Sequence, residues 1–561
     1  MKYSELVEIY EKLEATTKHL EKTAIIEEIL KKAKSDDLKD IVYLLEGRVF
    51  PEWDERKIGF SNRLVIKAIA SVSGASAKEV ESLWSRKGDL GIVAEELMAK
   101  RMQSALHARE LSVSDVLSNI RKLAEMEGEG TVARKISLVT ELVSNAKPPE
   151  AKYIVKMILE ELRVGTAGGI IRDAIAKAFG RNVEDVEATF NLLVDYGETA
   201  VLAKENKLGK IQLKPGRPLK VMLAVLVKSI EEAFEAVGRP MQLEYKLDGF
   251  RLQVHFDGKA ILLFTRRMEN VTAQFPDVVK AVKENVKGKS FIIDAEAVGY
   301  ERKTGKCLPF QSISQRIKRK YDIEDMARKF PVELNVFDAM YYEGKDLMEL
   351  PLLKRREVIE KIMKEEKGKI ILTKKLITDD DKKAEKFYKE ALDSGVEGVM
   401  LKNVNSLYKP GRYVDGWCKL KEVLEPLDLV IVGAEWGEGK RAKWLSSYTV
   451  ACEKDGKLIE IGKVSTGMKE KEEEGVTFEQ LTKILKPLII SQKGKEVAIK
   501  PQIVIEVGYE EIQKSPTYTS GYALRFPRVL RYRPEKPVDE IADMKIVEKI
   551  YGSQRGKKQI R

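Results

Sequence analysis

Three histidines and three cysteines are all that 561 residues contain. His19, His107 and His255 are too few and too scattered to suggest catalysis built on imidazole. Cys307, Cys418 and Cys452 lie far apart with no C-x-x-C pair, which excludes a disulfide framework and a zinc site. No apolar run reaches the roughly 18 residues that a membrane-spanning helix needs. With 18 prolines and 38 glycines the chain is not a low-complexity polymer. The opening "MKYSELVEIYEKLE" is patterned as an amphipathic helix and not as a secretory signal. These absences leave an intracellular globular protein as the expectation.

What is present is charge. Charged residues make up 34% of the chain, and Lys plus Arg exceed Asp plus Glu by 100 to 89, a net charge of +11. A diluted positive surplus suits a polyanionic partner, and abundant Lys and Glu suit a protein from a hot environment.

The pattern changes along the chain. Residues 1–212 repeat apolar positions at steps of three and four, as helices do. Within them "LRVGTAGGIIRDAIAKAFG" places Gly168 and Gly169 at a helix start, flanked by Arg163 and Arg172. Such a start can hold a phosphate on its free N–H groups, or can serve close helix packing. "NKLGKIQLKPGRPLK" reads as a linker. Residues 213–424 mix strands such as "SFIIDAEAVGY" and "VELNVFDAMYY" with helices such as "DKKAEKFYKEALDSG". From 425 to 561 short strands dominate, with an Asp455-Gly456 hairpin signal, as in a small all-β barrel with a basic tail.

"LEYKLDGFRLQVH" carries the chemistry. Alternation puts Lys246 on one face with Glu244 and Asp248, a pattern that an ordinary strand edge would also produce. Downstream follow "DAEAV" with Glu296, "VFDAM" with Phe337, "EGVMLK" with Glu397 and Lys402, "WCKLK" with Lys419 and Lys421, and "LRFPRVLRYRPEK". Each alone fits a bland reading: Phe337 as core, Glu296 paired with a surface lysine, the last run as a basic patch.

In this order and spacing the set resembles the covalent nucleotidyltransferases, and most closely the ATP-dependent DNA ligases of archaea and eukaryotes. The resemblance covers nearly the whole chain, since the helical first part is similar to that family's DNA-binding domain. It implies a helical DNA-binding domain, an α+β adenylation domain and a C-terminal OB-fold. It also implies sealing of nicked double-stranded DNA in replication, repair and recombination, with ATP as AMP donor and Mg²⁺ or Mn²⁺. A monomer, a sliding-clamp partner and a location with the nucleoid follow from the same source.

Lys246 would be the adenylated nucleophile. A lysine amine is protonated at neutral pH, with an ordinary pKa of about 10.4, and cations at Arg251, Lys402 and Lys419 would disfavour its charged form. By resemblance Glu244 contacts the adenine edge and Phe337 stacks on the ring. Arg251 and Arg266 lie near the nucleotide and the nick phosphate, and Glu296 holds the ribose or lies close to the metal. Glu397 is a metal carboxylate, and Lys402, Lys419 and Lys421 are α-phosphate ligands. Arg412 approaches the nucleotide, and Arg533 and Lys536 orient the leaving pyrophosphate. Departures from the family pattern are Glu535 in place of Asp, Val221 in place of Pro, "DAE" at Glu296, and Tyr413 where an Arg is usual.

Two other classes compete. An RNA ligase or mRNA guanylyltransferase shares the chemistry but not the long helical first part. A non-catalytic DNA-binding clamp would need no reactive lysine. Clamp docking would fall on "MQSALHARE" around Gln103, which lacks an aromatic pair.

Overall fold

The computed structural model describes residues 1–102, 110–301, 307–308, 310, 313–317, 319, 321–411, 416–422, 424–437, 441–469 and 476–554. Arg412, the segment around Gln103 and the tail from 555 lie outside them.

The first part is helical from Tyr3–Glu14 to Tyr196–Lys204. Its helices bury one apolar stripe each into a shared core that includes Leu6, Tyr10, Ile41, Val65, Val116, Ile154 and Ile171. Starts are fixed locally: Ser76 with Glu79, and Ser112 with Asp115, form reciprocal capping boxes. Helix Gly168–Phe179 begins without a side-chain cap and packs on His19–Lys32.

The linker is stapled on both sides. Arg217 donates to the Leu193 carbonyl, and Lys220 pairs with Glu52 at 2.5 Å. His255 Nδ1 accepts from the Gly216 N–H at 3.1 Å, while Gln253 bonds both the N–H and the carbonyl of Leu219.

Two sheets build the central part. The first runs in the order Val225–Leu226, Trp417–Lys421, Gly398–Asn403, Met241–Lys246, Lys375–Thr378. Its outer face is covered by helices Ile230–Val237 and Asp381–Asp393. The second contains Ile261–Thr265, Phe250–Phe256, Phe291–Tyr300 and Val332–Tyr342, backed by helices Pro276–Asn285 and Leu352–Ile362. The strand pattern read over Leu243 to Asp248 stops at Lys246, because Leu247 to Gly249 carry the chain from the first sheet to the second, where Phe250–Phe256 begins. Only glycine allows that crossing: a Cβ on Gly249 would stand 2.3 Å from the Ala297 carbonyl oxygen.

The last part is strand-rich. Strand Leu427–Trp436 pairs with Val504–Gly508 through its first half and Glu496–Ile499 through its second. Register shifts within it bend the sheet around a core of Leu429, Ile431, Val450, Ile461 and Ile505. The hairpin turn falls on Asp455 and Gly456, both at positive φ, with Lys454 opposite Lys457. Helices Phe478–Leu485 and Met544–Ser553 pack against these strands.

Candidate active site

Strand register assembles the site. Side chains two apart share a face, so three neighbouring strands present cross-strand rows to the space between the sheets. Gln242, Lys402 and Trp417 form one row, Glu244, Met400 and Lys419 the next, and Lys246, Gly398 and Lys421 the last. The cavity has a volume of about 1260 Å³.

At one end, aromatic rings and a buried ion pair meet. Lys402 Nζ donates to Glu244 Oε2 at 2.6 Å, with the two side chains 1% and 2% exposed. Glu244 Oε1 accepts from Gln242 Nε2 at 2.6 Å. The Lys402 ammonium lies 4.1 Å from the Trp417 ring centroid and 4.7 Å from that of Phe337. Burial lowers its pKa, and Glu244 opposes that shift. Phe337 is held from behind, because Asp338 and Arg355 form a fully buried bidentate pair at 2.8 and 2.9 Å. Lys402, expected at a phosphate, is therefore engaged with Glu244: the register puts it in the row with Gln242 and Trp417, two rows from Lys246.

At the other end stands Lys246, whose Nζ contacts Glu397 Oε2. Asp248 Oδ2 accepts from the Phe310 N–H at 3.1 Å. Burial and the facing Glu397 push the Asp248 carboxyl up to about 6. Burial likewise raises Glu296 to about 8, against the pull of Lys246 and Arg251. Glu397 itself stays below the carboxylate range, since Lys246 outweighs the opposing effect of burial. Burial, Lys246 and Lys421 together lower the Lys419 pKa. Arg266 is exposed at the cavity wall.

Arg251 spans the middle. Its Nε and Nη2 grip Asp294 at 2.9 and 2.5 Å, its Nη1 donates to the Met222 carbonyl at 2.7 Å, and Tyr408 Oη donates to Asp294 at 2.8 Å. Arg251 and Lys402 are thus each matched by a carboxylate, and the group in contact with the Lys246 amine is also a carboxylate.

Other parts of the chain close over the cavity. Glu52, Trp53, Asp54 and Glu55 line it from the helical part, and Arg525 from the strand-rich part, where Lys421 also pairs with Glu510 at 2.6 Å. Arg533 and Lys536 do not line it. Asp428 accepts from Arg533 Nη1 at 3.0 Å and from Lys536 Nζ at 2.8 Å.

Gly168, Gly169 and Arg172 line a separate cleft of about 320 Å³ with Glu46, Arg48 and Tyr196. Arg172 is tied there to Asp173 at 2.7 Å and Glu187 at 3.1 Å. Arg163 stands outside its lining and pairs with Glu161 at 3.4 Å.

No group of three or more Asp, Glu, His or Cys among the described residues is arranged as a metal cage. Glu296 and Glu397, which both line the cavity, still suit Mg²⁺, which keeps several waters and takes one or two carboxylates plus substrate phosphates.

Family models match three segments: the DNA ligase N terminus over residues 2–176, the ATP dependent DNA ligase domain over 221–421, and the ATP dependent DNA ligase C terminal region over 441–536. A DNA ligase of Nanoarchaeum equitans is 50% identical over 563 residues, covering 99% of each chain. The chain belongs to the ATP-dependent DNA ligases. Archaeal ligases from Archaeoglobus fulgidus and Thermococcus onnurineus are 43% and 41% identical, each match covering 98% of both chains. The solved structure called Pmar-Lig_PreS3 is similar in fold, with a TM-score of 0.56 at 18% identity over 94% of this chain and 99% of that one.

Several residues of the ligase site escaped the sequence reading. Asp294 lies within "DAEAV", but its bond to Arg251 depends on strand pairing. Trp417 opens "WCKLK" beside Lys419 and Lys421, and Tyr408 carries no local signal. Arg525 was inside "LRFPRVLRYRPEK", and only the packing of the strand-rich part against the central part brings it to Asp248 and Phe310.

Proposed function

We propose that this ligase seals nicks in duplex DNA through a covalent Lys246–AMP intermediate. The observation that carries the reading is the Lys246 amine in a cavity with a buried aromatic and carboxylate end on one side and Lys419 and Arg266 on the other. The base end suits a purine: Phe337 offers a π-face and Glu244 a carboxylate for an exocyclic amine. Lys402 braces Glu244 there, and Lys419 and Lys421 serve the phosphates.

In the first step the Lys246 amine loses its proton to solvent and attacks the α-phosphorus of ATP. An N–P bond forms, the bond to the β-phosphate oxygen breaks, and pyrophosphate leaves. The 5′-phosphate oxygen of the nick then attacks the same phosphorus and displaces Lys246. Finally the 3′-hydroxyl loses its proton to solvent as its oxygen attacks the 5′-phosphorus, the bond from that phosphorus to the oxygen of the AMP phosphate breaks, and a phosphodiester and free AMP result. Charge neutralisation dominates such transfers, which is why cations crowd the cavity. Mg²⁺ or Mn²⁺, held by Glu397 and Glu296, would supply further neutralisation. Arg533 and Lys536 act on pyrophosphate in an arrangement where the strand-rich part has swung towards the nucleotide.

We further read Gly168 and Gly169 as a phosphate grip on DNA, with Arg163 and Arg172 beside it, the protein as a monomer, and a sliding clamp as a partner in replication, repair and recombination. The test is a chase. Protein adenylated with α-labelled ATP, freed of nucleotide and given nicked DNA, should yield one sealed strand and one AMP per adduct. Release of label without sealing would contradict the reading.

A further inference from the structure

The chain crosses between the central sheets a second time, at Thr373 and Lys374. Leu372 on one side is in register with Val336, the neighbour of Phe337, and Lys375 on the other is in register with Glu244. Thr373 therefore stands between the ring and the carboxylate of the base end. Its backbone is fixed from both directions, because its N–H donates to the Val336 carbonyl at 3.0 Å and its carbonyl accepts from Arg356 Nη2 at 3.0 Å. The side chain is 4% exposed and lines the cavity, yet its Oγ1 has no hydrogen-bond partner. Trp417 Nε1, on the same lining, and Gln242 Oε1, beside Glu244, are also buried without partners.

A buried hydroxyl left unpaired carries a desolvation cost, and natural cores seldom keep one without a partner in some state. A hydroxyl can both donate and accept. The chemistry left open here is a polar edge between a π-face and a carboxylate. A purine bearing an exocyclic amine matches it: the amine donates to Glu244, and a ring nitrogen flanking that amine accepts from the hydroxyl.

We propose that Thr373 is a base-recognition residue, donating from Oγ1 to a ring nitrogen beside the exocyclic amine of the bound adenine. This rests on the assignment of the Glu244 and Phe337 end to the base. The carboxylate selects the amine, and the hydroxyl adds affinity and fixes the base in its plane.

Adduct formation on the full-length protein, measured against ATP, 1-deaza-ATP and 7-deaza-ATP, tests the proposal. Thr373→Val should raise the KM for ATP roughly two- to tenfold, the worth of one neutral hydrogen bond, with kcat within about twofold. Thr373→Ser should restore the wild-type KM. One of the deaza nucleotides should be bound equally by wild type and Thr373→Val, because it lacks the accepting atom, while the other should show the same loss as ATP. An unchanged KM in Thr373→Val, or equal losses with all three nucleotides, would overturn the assignment. Phe337→Leu, which removes the π-face, tests the base end separately: a raised KM for ATP there beside an unchanged KM in Thr373→Val counts against Thr373 alone, and an unchanged KM in both variants counts against the base end itself.

Discussion

Lys402→Met should destabilise the central part by about 3–5 kcal/mol, the cost of leaving one charge of a buried pair alone. The side chains of Lys402 and Glu244 are 1% and 2% exposed and meet at 2.6 Å, and Gln242 is the other partner of the carboxylate. At an effective dielectric of about 20, a contact this short is worth roughly 6 kcal/mol of attraction. Removing two ions from water costs several kcal/mol each, so the pair taken whole adds little. Replacing both partners, as in Glu244→Leu with Lys402→Met, should therefore leave stability within about 2 kcal/mol of wild type and show strong coupling in the cycle. Guanidinium unfolding of the four full-length proteins, followed through the transition that reports the central part, is the assay. A Lys402→Met loss below about 1 kcal/mol, or single losses that simply add, would show the ammonium free in solution to serve a phosphate.

Lys536→Ala should slow Lys246–AMP formation by roughly a hundred- to a thousandfold, the scale of one lost charge-stabilising donor, yet leave sealing of a pre-adenylated nick nearly intact. Equal losses in the two assays would make this segment part of the DNA grip. Burial holds His255 neutral, with its pKa down at about 3 against an ordinary 6.5, so the unfolded chain takes up the proton more readily. Stability should accordingly fall as pH drops from about 6.5 towards 3, with about 2 kcal/mol lost at pH 5. His255→Gln should flatten that slope in thermal melts recorded between pH 7 and pH 5. Binding of nicked DNA should weaken steeply with salt, and removing exposed Arg266 should lower the log–log slope by about one if it meets a phosphate.

Much of the site was readable because strand chemistry is local. Alternation in "LEYK" and "WCKLK" already put Glu244 with Lys246 and Lys419 with Lys421 on common faces, and the structure keeps them there. Alternation does not say how neighbouring strands align, and it is that alignment which sets Lys402 opposite Gln242 and against Glu244, two rows from Lys246. The same limit hid Asp294, whose partner Arg251 lies on the adjacent strand. The crossing at Leu247 to Gly249 is marked in the sequence only by a change of phase, from apolar Leu243, Tyr245 and Leu247 to apolar Phe250, Leu252 and Val254, and the approach to Ala297 explains the glycine. Helices were legible from their period, while the docking of Arg525 and of Glu52 to Glu55 over the cavity depends on contacts between parts of the chain that no local pattern records.

The central claim is that one amine carries AMP. Intact mass of the protein after incubation with ATP and Mg²⁺, followed by peptide mapping, addresses it directly. The expected result is a gain of one AMP located on Lys246, absent from Lys246→Ala and from Lys246→Arg, whose guanidinium stays protonated. An adduct of the same mass in Lys246→Ala, or one mapped to another lysine in the unaltered protein, would contradict it.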